Sequence, residues 1–225
     1  MDTFTGYWPN FRMAQDNQGL TAPTRKILNP VRLSLVSETL TTEPNSLADT
    51  KNFLRVTSTA EDQIITKLMV SKRRWLEKYL NIALVPKTIN MWNNNVPELR
   101  FVYFPLNPIT AVNNVYWYDL ADGQNLFATS NYQVNLLDTV SSIFLEVGAI
   151  WPPATRLNDA WQINFTCGYN NVSTFTPEPI QEALFLLVDQ SYHHRGMEMV
   201  TDDTLKMGHM VKSMIEPYRN PVTVL

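Results

Sequence analysis

Cysteine and glycine are both scarce in this 225-residue sequence, and each shortage excludes a class of protein. The single Cys167 cannot form an intramolecular disulfide, so a small disulfide-stapled fold is excluded and stability must come from packing. The seven glycines are spread so widely that no two lie closer than twelve positions. Dinucleotide-binding fingerprints and P-loops need several glycines within a few residues, so neither can be present. We therefore expect no nucleotide cofactor.

Charge and long apolar runs are scarce as well. Charged residues make up 17% of the chain and the formal net charge is -3, which gives no global basic field for nucleic acid. The longest purely apolar run, Ala183 to Val188, is far shorter than the roughly 20 residues that a membrane-spanning helix needs. The first ten residues carry no basic run followed by an apolar block, so we expect no secretory signal. These features predict a soluble protein without a membrane partner.

Residues that could carry chemistry are few and separate. The adjacent His193 and His194 would point about 100° apart on a helix, which disfavours a shared metal ion. Cys167 alternates with apolar neighbours, a pattern typical of a small buried side chain and not of a nucleophile. We therefore predict no catalytic, cofactor-binding or metal-binding residue. An enzyme whose carboxylates converge only in the folded chain stays open as an alternative.

The first 53 residues are predicted to form an extended N-terminal arm. Prolines interrupt them and neither helical nor strand periodicity is sustained. Their apolar residues are too many for a tail in solvent, so we expect the arm to order on neighbouring subunits. The arm residues predicted to make these contacts are Phe4, Tyr7, Trp8 and Phe11.

A long helix is predicted to follow the arm. Ser58 as N-cap and Glu61 three residues later form the pattern of a capping box. From Ile64 to Leu80 apolar residues recur at helical spacing over about five turns. The polar face of this helix is predicted to hold Lys67, Lys72, Arg73 and Lys78. The basic run from Lys72 to Arg74 is interpreted as a solvated helix face, not as a nucleic-acid site.

Between residues 86 and 169 the period changes to two, which predicts strands. In residues 161–167 every second side chain, from Trp161 to Cys167, is apolar, as a strand with one buried face requires. Ile143, Leu145 and Val147 show the same alternation. Other predicted strands are 87–93, 99–104, 109–118 and 131–136, and Asp122-Gly123 marks a turn between two of them.

Helical periodicity returns after the strands. Thr176 is predicted to cap a second long helix, with Pro177 and Pro179 in its first turn and Gly196 at its end. A short C-terminal helix is predicted to begin near Met207 and to stop before Pro217. The predicted fold class is therefore α+β. Residues 54–86 and 176–225 form a helical core with a C-terminal tail, and residues 87–175 form an inserted small antiparallel β subdomain.

The order of these features from Leu54 to Arg219 resembles the phage head-tail connector family, the adaptor or head-completion proteins. The blocks that carry the resemblance are Glu61-Asp62 before Ile64-Ile65, 75–80, 104–109, 112–119 with Asp122-Gly123, 132–134, Trp151-Pro152, 165–169, 180–195 with Tyr192, and Pro217-Tyr218-Arg219. Two departures are an arm longer than the family leads us to expect and Cys167 where a small alanine-like residue is usual.

The resemblance implies a structural virion protein that is not an enzyme. It implies a homo-oligomeric ring of about twelve copies that sits beneath the portal protein and extends the DNA channel. The ring would offer its far face to a downstream neck or tail protein, with DNA only as passing cargo. The chain would be made in the host bacterial cytoplasm and would end in the neck of the virion.

The late part of the chain is rich in methionine, whose flexible side chains adapt to partners of different shape. Portal or neighbour contacts are therefore predicted at Met207, Met210, Met214, Tyr218, Arg219, Val222, Val224 and Leu225. Ordinary core filling is an equally good interpretation of Met207, Met210 and Met214. Two alternative functions stay open: another neck or tail-completion ring protein, and a soluble enzyme or binding module with a pocket in the β insertion.

Overall fold

Two antiparallel sheets and a layer of helices form the part of the chain that this computed structural model describes. That part comprises residues 31–38, 43–94, 97, 100–136, 140–152, 155–169, 172–193 and 208–220. The α+β class predicted from the sequence is confirmed. Among the described residues, no helix is both long and apolar enough to cross a membrane.

Eight strands lie in the two sheets. In chain order they are β1 (Arg32–Glu38), β2 (Lys87–Asn93), β3 (Phe101–Tyr103), β4 (Ile109–Tyr118), β5 (Gln124–Leu126), β6 (Tyr132–Asn135), β7 (Ser142–Leu145) and β8 (Trp161–Cys167). One sheet has the order β1-β2-β8-β4-β5 and the other has the order β3-β7-β6, and all the pairs are antiparallel. The bounds predicted for β2 and β4 are confirmed, whereas β5 was not predicted.

The two sheets share one hydrophobic core. β8 lies in the middle of the larger sheet, and its side chains alternate between buried and half-buried along its whole length, as predicted. Phe165 packs on Phe104 with ring centroids 4.9 Å apart, and Trp151 meets Trp161 edge-on at the same distance. Because aromatic side chains bury large apolar areas, these contacts hold the loops before β4 and β8 against the sheet.

The helices are α1 (Leu47–Leu54), α2 (Asp62–Leu80), α3 (Val172–Phe175), α4 (Glu178–His193) and α5 (His209–Ile215), with 3-10 turns at Thr129–Asn131 and Glu216–Tyr218. Two apolar clusters join α2 to α4. Leu76 and Leu80 pack with the first half of α4 and with α5, and Ile65 and Met69 pack with Val188 near the end of α4. The two long helices therefore run antiparallel.

The start of α2 differs from the prediction. The helix begins at Asp62, and the hydroxyl of Ser58 accepts a hydrogen bond from the amide of Ala60 (3.1 Å) without closing a capping box. Glu61 accepts a hydrogen bond from the hydroxyl of Tyr192, and Asp62 pairs with Lys51 at 2.6 Å. The acidic side chains of the first turn are thus used for tertiary contacts with α4 and α1, and not for local capping.

Two other local predictions were wrong. The hydroxyl of Thr176 is buried without a hydrogen-bond partner in the described part of the chain, and the carbonyl of Pro177 accepts the amide of Ile180 (2.9 Å) at the start of α4. Val147 is 96% exposed, not buried, because β7 ends at Leu145 and Gly148 turns the chain with φ +87°. Local alternation indicates a strand but does not locate its last residue.

Part of the predicted arm has regular structure. Residues 32–38 form β1 at the edge of the larger sheet, and residues 47–54 form α1, which Ser46 caps by accepting the amide of Asp49 (3.0 Å). Where the structure describes residues 31–53 of the predicted extended arm, they therefore include a strand and a helix. The arm contacts predicted at Phe4, Tyr7, Trp8 and Phe11 lie outside the described residues.

Candidate functional site

A buried charge cluster connects α2 to the edge of the larger sheet. The side chain of Arg73 is 0% exposed. Its Nε donates to Glu43 (2.7 Å), and its Nη1 donates to Glu38 (3.1 Å) and to Glu77 (3.0 Å). Nη2 is buried and has no hydrogen-bond partner among the described residues. One guanidinium thus binds carboxylates from β1, from the segment before α1 and from α2 itself.

A second cation completes the cluster. Lys87, the first residue of β2, places its Nζ 2.6 Å from Glu77 and 3.4 Å from Glu38. The other carboxylate oxygen of Glu77 accepts the backbone amide of Leu84 at 2.8 Å. Since these residues lie in the helical layer, in the connection after it and in the sheet, the cluster fixes how the two layers meet.

The charges in this cluster stabilise one another. Burial would raise the pKa of the Glu38 carboxyl, but the charge of Lys87 and the hydrogen bonds from Arg74 and Arg73 outweigh burial and hold that pKa below its ordinary value. Burial would likewise lower the pKa of Arg73, and its three carboxylates raise it instead. Both groups are therefore ionised at neutral pH.

The prediction that Arg73 lies on a solvated helix face is wrong. Arg73 stands four residues after Met69 and three before Leu76, which puts it on the buried side of α2. This spacing, together with Glu77 one turn later, is the sequence signal that could have indicated a buried pair. Arg74, by contrast, is 56% exposed and pairs with Glu38 from outside at 2.9 Å.

The predicted C-terminal contact residues are divided between surface and core. Met210 is 65% exposed and Tyr218 is 36% exposed, so both are accessible. Met214 packs against the helical core and is only half-buried, which leaves both interpretations of it in place. Met207, Val222, Val224 and Leu225 lie outside the described residues. The structure therefore describes four of the eight predicted residues, which lie on α5 and in the turn after it.

An aromatic stack joins this C-terminal turn to α2. Trp75 stacks on Tyr79 with centroids 5.6 Å apart, and the guanidinium of Arg219 lies 5.4 Å from the ring centroid of Tyr79. The Tyr79 hydroxyl donates to Glu216 (3.1 Å). Partial burial, with the hydrogen bond and charge of Glu216, raises the pKa of Tyr79 against the opposing charge of Arg219. Trp75 and Arg219 stay exposed at the edge of this stack.

Asn220 anchors the C-terminal turn to both layers. Its backbone amide donates to the carbonyl of Leu80 (2.8 Å), and its side-chain amide donates to the carbonyl of Pro105 (3.1 Å). Asn220 is 3% exposed, so these hydrogen bonds are shielded from water. The position of Tyr218 and Arg219 on the surface is therefore fixed by the residue that follows them.

The structure gives no sign of a reactive cysteine. Cys167 is 0% exposed at the end of β8, and burial raises the pKa of its thiol to about 12. A thiol with that pKa is protonated at neutral pH and is a poor nucleophile. Within the described ranges no three His, Cys, Asp or Glu side chains come together in a way that could hold a metal ion.

Comparison with known proteins finds one family that this chain resembles. Residues 44–150 match the family model of phage gp6-like head-tail connector proteins, a range that begins beside Glu43 of the charge cluster and runs through α1, α2 and the strands to β7. The predicted resemblance to phage head-tail connectors is confirmed. This connector family consists of structural virion proteins and is not an enzyme class.

Solved structures share the fold of this chain. A chain in the neck of an empty gene transfer agent particle, computed with C6 symmetry, superposes with a TM-score of 0.69 at 21% identity, over 86% of this chain and 97% of that one. A chain in the virion of a native gene transfer agent particle gives 0.68 at 21% identity with the same coverage. A chain in the neck of a native particle, computed with C12 symmetry, gives 0.65 at 20% identity. Comparison with curated proteins gave no significant match.

Proposed function

We propose that this chain is a subunit of a ring in the neck of a phage-like virion, where it connects head and tail. The observation that carries the proposal is the connector-family match over residues 44–150, on a fold that covers 97% of the matched neck chain. Neck structures computed with C6 and C12 symmetry support a closed ring, and about twelve copies is the number we propose. Such a protein needs no reaction.

The proposed subunit has three parts. Residues 54–86 and 176–225 form the helical core with its C-terminal tail, and residues 87–175 form a β subdomain inserted between them. The first 30 residues are the remaining candidate for an arm that contacts neighbouring subunits. We propose that the chain is made in the host cytoplasm and joins the particle there.

The portal protein and a downstream neck or tail protein are the proposed partners, with DNA passing through the channel. The exposed Met210, Tyr218 and Arg219 form the surface that we propose meets the portal. The positions of Tyr218 and Arg219 are held by Asn220 and by the stack on Tyr79, so this part of the surface is preformed and loses little conformational entropy on binding.

Particle analysis tests the proposed function. Purified particles should contain the chain in a fixed ratio to the portal protein, and imaging should place it as a ring at the head-tail junction. A ring elsewhere in the neck or tail would favour the alternative of another completion protein. Absence from mature particles would overturn both.

Two variants of α5 test the portal surface. Met210→Gln removes an exposed apolar side chain and should weaken attachment of the ring to portal-bearing heads, because such anchors contribute most of the binding free energy. The matched control is Lys212→Gln, which changes an exposed side chain on the other side of the same helix. Equal attachment of the two variants would contradict the assignment of this surface.

A deletion that tests the C-terminal tail should begin after Asn220. Removal of residues 221–225 should leave a folded subunit that no longer joins filled heads, as the prediction for Val222, Val224 and Leu225 requires. A deletion that began at Tyr218 would also remove both hydrogen bonds of Asn220 and would confound attachment with folding. Normal attachment of the 221–225 deletion would contradict a role for the tail.

A further inference from the structure

The outward faces of the two long helices carry opposite charge. On α2 the exposed side chains include Lys67, Arg74 and Lys78, with Ser71 between them. On α4 the outward stripe holds Glu178, Glu182 and Asp189, with Phe185 between them, and Asp189 lies 3.2 Å from His193. No ion pair is formed by Lys67, Lys78, Glu178 or Glu182 within the described part of the chain.

The two faces point away from each other. The opposite sides of α2 and α4 meet in the shared apolar clusters, one of which contains Leu76 and Leu184 and the other Ile65 and Val188. One subunit therefore has a cationic face on one flank and an anionic face on the other. Two different flanks that complement each other are what a head-to-tail ring requires.

The spacing of the charges matches in one direction only. Read backwards along α2, the cations at 78, 74 and 67 are separated by four and seven residues. Read forwards along α4, the anions at 178, 182 and 189 are separated by four and seven residues as well. An antiparallel pairing therefore sets Lys78 against Glu178, Arg74 against Glu182, and Lys67 against Asp189, whereas a parallel pairing cannot align all three.

The same antiparallel pairing also sets Ser71 of α2 opposite Phe185 of α4. Seven residues from Lys78 along α2 lies Ser71, and seven residues from Glu178 along α4 lies Phe185. Ser71 and its neighbours Lys67, Val70 and Arg74 line an open groove on the surface of α2. Phe185 is stacked on Phe53, whose ring is 44% exposed, with centroids 5.1 Å apart. In this register the half-buried Phe185, with the exposed ring of Phe53 beside it, faces the open groove at Ser71.

Ring geometry preserves this arrangement. In a ring of about twelve copies each subunit is turned by only about 30° from the next, so helix directions change little between neighbours. α2 and α4 are antiparallel within a subunit, and the end of α2 lies level with the start of α4. A pure rotation therefore brings the end of α2 on one copy to the start of α4 on the next, without the rise that would make an open filament.

We infer that, in the proposed ring, the outer face of α2 on one subunit binds the outer face of α4 on a second copy of this chain, with antiparallel helices and Phe185 in the groove at Ser71. The inference rests on the proposed function, because only a ring brings these flanks together.

Paired charge reversals test the inference. Variant one carries Lys67→Glu and Lys78→Glu, and variant two carries Asp189→Lys and Glu178→Lys at their partners; Arg74 and Glu182 are left alone because Arg74 also contacts Glu38. Each variant alone should self-associate at least about tenfold more weakly than the unaltered chain, since two of the three facing pairs then carry like charges. An equal mixture should assemble again, because alternating copies restore both attractions. Lys212→Glu, on α5, is the control that should leave assembly unchanged.

A cysteine pair tests the register independently. Ser71→Cys with Phe185→Cys should give a ladder of trimers and larger species with a thiol crosslinker, whereas either single variant should give no species beyond dimers. Cys167 is fully buried and does not compete. Circular dichroism and thermal melting show that the variants are folded before assembly is measured.

The outcomes separate this inference from the proposed function. Rings that persist in both charge-reversed variants, or a mixture that assembles no better than its components, would overturn the helix contact while the chain could still be found in the neck. Absence of the chain from particles would overturn the connector proposal, whatever the variants do. Assembly that is lost in each variant and regained in the mixture would establish the contact.

Discussion

Replacement of Arg73 by Met should destabilise the protein far more than the same replacement at the next residue. Arg73→Met keeps the length of the side chain but removes the cation that Glu38, Glu43 and Glu77 share. Removing one partner of a buried ion pair typically costs about 3–5 kcal/mol, because the remaining charge has lost both water and its partner. Lys87 still neutralises part of the cluster, so we place the expected loss within that range and not above it.

Arg74→Met is the matched control. Arg74 binds the same carboxylate of Glu38, at 2.9 Å, but its side chain is 56% exposed. Exposed pairs contribute roughly 0–1 kcal/mol because water and salt screen them. Urea unfolding followed by tryptophan fluorescence should therefore show a much lower midpoint for Arg73→Met than for Arg74→Met, with similar slopes.

The unfolding free energy that Arg73→Met loses should also depend on pH. The pKa of Glu38 is held below its ordinary value in the folded protein, so its contribution to stability is present above the unfolded pKa and is lost as pH falls through the folded pKa. In Arg73→Met the Glu38 carboxyl loses the charge and the hydrogen bond of Arg73 while Lys87 and Arg74 remain, so its folded pKa lies closer to the ordinary value and less stability is left to lose as pH falls. The gap between the unaltered protein and the variant should therefore narrow from pH 7 towards the ordinary carboxyl pKa near 4.5. Equal destabilisation by the two variants, or a gap that does not change with pH, would refute the buried-cluster reasoning.

Three further predictions concern single residues of the fold. Gly168→Ala should cost more than about 2 kcal/mol of unfolding free energy, because φ is +104° and a Cβ would lie 2.2 Å from the carbonyl oxygen of Val85. Gly148→Ala, at φ +87° with open space around it, should cost only about 1–2 kcal/mol. Thermal melting compares the two variants, and equal losses would contradict the steric explanation. Cys167, with its pKa raised to about 12 by burial, should resist thiol reagents at pH 8 until urea unfolds the chain, and rapid labelling of the native protein would show that β8 is not buried as described. Asn220→Ala should lower stability by about 1–3 kcal/mol because the carbonyl of Pro105 loses its buried donor, and an unchanged urea midpoint would show that the C-terminal turn is not anchored there.

Local pattern was sufficient for the elements in the middle of the chain. Strands β2 and β4 have the predicted bounds, and β8 alternates as predicted, because side chains in a strand with one buried face repeat every two residues whatever surrounds them. The long helices were likewise evident from their apolar stripes. The order of these blocks was enough to indicate the connector family.

Tertiary structure decided which side chains are buried, which strand pairs at the sheet edge and which partners the charged groups bind. Arg73 looks like a surface cation in the sequence, and only the carboxylates of Glu38 and Glu43, some 30 residues away, make its burial possible. Residues 32–38 lack a strand pattern because an edge strand has one neighbour and little buried surface, so pairing with β2 and not periodicity fixes it. Glu61 has the pattern of a capping residue, yet Tyr192 of α4 binds its carboxylate. The sequence alone determines helices and strands whose apolar residues repeat regularly, because that repeat is local. Burial of a charge and pairing of an edge strand depend on residues that are distant in sequence and come close only in the folded protein.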